Sequence, residues 1–188
     1  VAQKAINNFN LLESLSSDLT LNGLDLNFQI LIGDFEASQQ NLNALNQSKN
    51  QFLSKVSQSC DVIESETGIK TSLFTDLCNG LEGWHHCIQN LKYNLKINKY
   101  EDLENLLPHI NHEKKLISRL PLYQKWFGKD ADFKGIFLNQ ILEYILMGKL
   151  IASDYITNPI LLASDHKAMK DYYNSIAKIN IISSSANY

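Results

Sequence analysis

A chain of 188 residues suits one domain, or one domain with an extended arm. Its 44% hydrophobic residues provide for a packed core, and 20% charged residues are too few for a wholly disordered chain. The net charge of −3 comes without a Lys/Arg cluster, so a nucleic-acid backbone meets no electrostatic footprint and DNA or RNA binding is not expected.

The first segment sets Ala2, Ala5, Ile6, Phe9, Leu12 and Leu15 on one helical face, and Asn22-Gly23 reads as its turn. From Phe28 a seven-residue step runs through Phe35, Leu42, Lys49, Val56 and Ile63. A companion column holds Leu31, Ser38, Leu45, Phe52 and Ser59. Gln, Asn, Ser and Lys fill the faces between. The pattern predicts one amphipathic helix of about 35 to 40 residues, against the roughly 10 to 14 usual in globular proteins. Thr67-Gly68 closes it.

A next helix is expected from Thr71 or Ser72 through Leu73, Phe74, Leu77, Leu81, Trp84, Ile88, Leu91 and Leu95. Tyr100–Leu107 continues helically, Pro108 bends or restarts the chain, and the pattern then carries to Pro121. Leu122–Asp132 reads as a loop anchored by Trp126 and Phe127. Asp132 is placed to cap a helix from Phe133 to about Ala152 that is apolar on nearly every side, the mark of a bundle centre. A last helix is expected from Pro159 past Tyr172, Tyr173, Ile176 and Ile179.

The fold class is therefore all-α, a long heptad-patterned helix plus an apolar helical bundle. The divisions are a helical arm over 1–68, a bundle over 69–182 and a frayed tail over 183–188. No uninterrupted apolar run of about 18 residues occurs, so no transmembrane segment is expected. Cys60, Cys78 and Cys87 are odd in number and lack C-x-x-C spacing, which reads as reduced thiols in a cytoplasmic setting.

Motifs for chemistry are sparse. His109 and His112, spaced i, i+3, are weak metal candidates, but no H-E-x-x-H or cysteine pair accompanies them. Cys87 and His86 are neighbours that would point apart on a helix. Glycine-rich phosphate loops are absent, and Glu101, Asp102 and Glu104 are explained by a helix start. No catalytic residue, metal or cofactor is expected.

A heptad stripe that long needs a second helix beside it. Phe28, Phe35, Leu42, Leu45, Phe52 and Val56 are the candidate interaction residues. Lys49 breaks the column, which disfavours a symmetric seam and favours an unlike helical partner. The expected function is a non-enzymatic interaction or scaffold module, a subunit of a cytoplasmic assembly such as a tethering or adaptor complex. The alternative is a ligand- or metal-sensing helical domain with a pocket near His109 and His112.

Overall fold

The computed structural model describes residues 14, 17, 18, 21, 22, 29–34, 42, 46–154, 160–163, 171, 172 and 180–183. The chain is predominantly helical, as its periodicity predicts, and divides into two compact units, Val1–Leu81 and Glu82–Tyr188.

In the first unit, strand β1 (Ile30–Ile32) pairs in parallel with β2 (Thr71–Leu73), Ile30 opposite Thr71 and Ile32 opposite Leu73. Parallel pairing requires a crossover, and helix α1 (Lys49–Thr67) lies within it. The single helix expected from Phe28 to Thr67 is thus not formed. Residues Ile30–Ile32 are extended, and Asn46 takes a left-handed φ of 51°. Ser48 and Gln51 then close a capping box: the Ser48 hydroxyl accepts from Gln51 N (3.3 Å), and Gln51 Oε1 accepts from Ser48 N (2.9 Å). This S-x-x-Q signature starts a new helix inside the heptad pattern. Gly68, at φ 67°, ends it by donating to Glu64 O, where the sequence placed the stop.

Thr71–Leu73 also departs from its expected helix. After β2, a 3-10 turn (Asp76–Cys78) leads into Asn79-Gly80, both with positive φ (61° and 93°). Asn-Gly is a turn signal, and it delays helix α2 to Gly80–Leu95.

Beyond α2, Asp102 Oδ2 accepts from the backbone of Asn98 (2.7 Å) and Lys99 (2.9 Å) at the start of the short α3 (Asp102–Leu106). Pro108 interrupts the chain, and Asn111 caps α4 (His112–Phe127) by accepting from Lys114 N at 2.8 Å. α4 runs through Pro121 to Phe127, so the first half of the loop expected over Leu122–Asp132 is the last turn and a half of a helix, and only Gly128 to Asp132 is the connection. Pro121 removes one donor, but the face His112, Leu116, Arg119 and Tyr123 is buried on both sides of it and holds the helix in place.

Helix α5 (Phe133–Asp154) is the core. Phe137, Ile141, Leu142 and Ile145 have no exposed surface, and Ile136, Leu138, Leu146, Met147 and Ile151 are nearly as buried. By length and composition alone, Phe133–Ser153 is also long and apolar enough to cross a membrane, despite the charges that interrupt its apolar run. The helix expected after Pro159 is replaced at its start by strand β3 (Ile160–Ala163), which pairs in parallel with β4 (Asn180–Ser183). Asp171 and Tyr172, between them in sequence, are helical. Ser183 belongs to β4, and the remainder of the expected frayed tail lies outside the described residues.

Candidate functional site

The heptad candidates separate by position. Phe28, Phe35 and Leu45 lie outside the described residues. Leu42 is only 2% exposed and is a core residue of this chain. Phe52 and Val56 sit on α1, where they form a stripe with Leu53, Cys60 and Ile63. All five are half-buried. Thr67, in the last turn, is the one fully buried residue of this 19-residue helix.

The described hydrogen bonds that tie α1 down gather at the same end. Glu64 Oε1 accepts from Thr71 N and Thr71 Oγ1, both at 2.7 Å, and Thr67 Oγ1 accepts from Ile69 N at 3.2 Å. Those Thr71 hydrogen bonds hold the Glu64 carboxyl below its usual range. Beyond the strand ends, the buried Asp34 carboxylate accepts from Thr75 N (3.0 Å) and from the Thr75 hydroxyl. The helix is therefore anchored by its C-terminal turn and the β1–β2 pair, with its apolar stripe only partly covered.

His109 and His112 do not form a pair. His109 is exposed in the turn after Pro108, outside the helix, whereas His112 is buried at the start of α4. The expected i, i+3 helical face does not exist because Asn111 caps α4 between them. Both His112 nitrogens are engaged. Nε2 lies 3.1 Å from the Leu107 carbonyl oxygen, which can only accept, so Nε2 carries a proton. In the neutral ring Nδ1 is then the acceptor, and the Tyr172 hydroxyl donates to it at 2.8 Å. Burial holds the imidazole below its ordinary range, against the opposing pull of the Leu107 and Leu103 carbonyls.

Among the described residues no group of three or more His, Cys, Asp or Glu side chains is placed to hold a metal ion. His86 is exposed and Cys87 half-buried on α2.

A second polar cluster was not foreseen from the sequence. Gln140 of α5 accepts through Oε1 from the Tyr123 hydroxyl (2.6 Å) and from Arg119 Nη2 (3.3 Å), with the guanidinium 5.9 Å from the Tyr123 ring centroid. Burial pushes the Tyr123 phenol up. The signal was the spacing 112, 116, 119, 123, which sets a histidine and the sole arginine on the same face as Leu116 and Tyr123.

The chain matches no family model, no curated protein and no solved structure. The functional reading therefore rests on the partly covered stripe and the buried polar clusters themselves.

Proposed function

We propose that this chain is a non-enzymatic helical interaction module, a scaffold subunit of a larger cytoplasmic assembly, and that α1 docks an unlike helix of another protein. One observation carries the reading: along α1 the residues Phe52, Leu53, Val56, Cys60 and Ile63 share a face that this chain covers only in part. An amphipathic helix gains most of its stability from what packs on its apolar face. Completing the burial of that stripe is the interaction a second helix would supply. Lys49, which breaks the column and is the first residue of α1, tolerates an unlike groove better than a symmetric seam because its stem can lie along apolar surface with the ammonium in water.

The test is affinity capture on the purified full chain, followed by reconstitution from purified components, with wild type and Val56→Lys compared. Wild type is expected to retain a helical protein in fixed stoichiometry, and Val56→Lys to lose it with helicity unchanged. Equal retention by both would remove α1 from the interface. Sedimentation of the chain alone as a dimer broken by Val56→Lys would overturn the unlike-partner reading.

A further inference from the structure

Where the buried His112 sits decides what it can do. Its ring joins two parts of the second unit: Nε2–H is fixed on the Leu107 carbonyl at the end of α3, and Nδ1 receives the hydroxyl of the helical Tyr172, which lies between β3 and β4 in sequence. Tyr172 has no exposed surface. Its ring stacks on His112 at 5.9 Å and meets Phe137 of α5 edge-on at 6.3 Å. One residue earlier, Asp171 pairs with Lys115 of α4 at 2.8 Å, and Lys115 Nζ lies 5.8 Å from the centre of the Tyr172 ring.

This arrangement accepts only one protonation state without rearrangement. A neutral His112 needs the Tyr172 O–H as donor. A protonated ring donates from both nitrogens, so Nδ1–H and the Tyr172 proton would point at each other unless the hydroxyl reversed. The charged groups facing the site are Glu104 on α3, Lys115 on α4 and Asp171 beside Tyr172. From α5 the apolar Phe137 meets the site. Glu104 favours an imidazolium, and Lys115 and burial oppose it. Asp171 is already held by Lys115.

We propose that His112 is a proton-operated latch: neutral, it fastens the helical residues Asp171 and Tyr172 onto α4, and protonated, it releases those two residues while α5 and the bundle around it stay folded. The sign follows from linkage. The docked imidazole titrates below the free value of about 6.5, so protons bind the undocked form more tightly. The docked form is fully favoured above that pH. Below it, the opening equilibrium rises by up to about tenfold per pH unit, until the pH passes the depressed docked value.

The test uses the wild-type chain across the acid range. His112 is titrated by the NMR shift of its ring carbon, and hydrogen exchange, corrected for the intrinsic pH dependence, is followed in peptides containing Tyr172 and in peptides from α5. Loss of protection at Tyr172 should track the titration of His112 while α5 keeps its protection. His112→Phe should remove the pH step, and Tyr172→Phe, which takes away the donor to the neutral ring, should raise the His112 titration toward its free value. Protection lost together in α5 would make His112 a determinant of global stability and overturn the latch. A step that persists in His112→Phe, or a His112 titration with no change at Tyr172, would overturn it as well.

Discussion

At the scale of single residues, the buried face of α4 is half polar. His112, Leu116, Arg119 and Tyr123 follow i, i+4, i+7, i+11, and both polar members are nearly free of solvent. A buried polar group is tolerated when its partners are in place and is costly when one is removed. Gln140 Oε1 is the shared acceptor for Tyr123 and Arg119, so its loss acts on two donors at once. Gln140→Leu should destabilise the chain by about 1–3 kcal/mol, and Tyr123→Phe by about 0.5–1.5 kcal/mol. In the double variant the hydroxyl that Gln140→Leu would strand is already gone, so the combined cost should fall short of the sum. Urea unfolding of the four proteins measures the cycle. Strict additivity would mean that the two side chains do not act through one hydrogen bond. These residues were legible in the sequence as a spacing, but polarity disguised them: a search for apolar periodicity passes over a histidine and an arginine and selects Ile117, which is 56% exposed.

At the scale of elements, the sequence announces helices through their caps and hides short strands. Asp132 was readable as the cap of α5, and it does accept from Gly135 N at 2.9 Å. Gly68 was readable as the stop of α1. The strands were not, because β1 and β2 are three residues each and β3 and β4 four, too short for alternation to show. Their pairing is also parallel, so each partner lies beyond a crossover and no turn motif joins them. The cap of α5 carries a specific consequence for Gly135. An alanine there would normally gain about 1 kcal/mol over glycine in a helix. A β-carbon at Gly135, however, would meet the Asp132 carboxylate that caps the helix. Moving that carboxylate aside forfeits a cap worth about 0.5–2 kcal/mol. Gly135→Ala should therefore leave stability unchanged or lower it, and in an Asp132→Ala background the same change should stabilise by about 1 kcal/mol. Thermal unfolding of the four proteins tests this, and an equal gain in both backgrounds would mean that the carboxylate yields without loss. Further along α5, Leu142→Asp puts an unpaired carboxylate where there is no exposed surface, and should cost more than about 4 kcal/mol, read as loss of cooperative unfolding.

At the scale of the whole chain, the heptad column carries two kinds of residue that the sequence could not tell apart. Leu42 and Val56 are two steps apart on it and look equivalent by periodicity. The structure separates them, since Leu42 is buried and helical ahead of Asn46, and Val56 is half-buried on a helix that begins only at Lys49. Heptad spacing reports which side of a helix is apolar. It does not report where a capping box divides one helix from the next, nor which stretch of the stripe its own chain covers. The two positions should consequently respond differently to a charge. Leu42→Glu buries a carboxylate in the core and should cost at least about 3 kcal/mol, lowering the melting midpoint by roughly 6 °C or more for a chain of this size. Val56→Lys forfeits only part of the roughly 1.5–3 kcal/mol that burying a valine provides, and the lysine stem can lie along the stripe, so the cost should stay near about 1 kcal/mol. Partner capture should follow the opposite order relative to stability, with Val56→Lys losing the partner at a nearly unchanged melting midpoint. Melting curves and capture run on the same preparations make the comparison. A large fall in the midpoint for Val56→Lys would place the α1 stripe in the internal core and leave the module without the docking face proposed for it. A near-wild-type midpoint for Leu42→Glu would return that residue to the candidate surface.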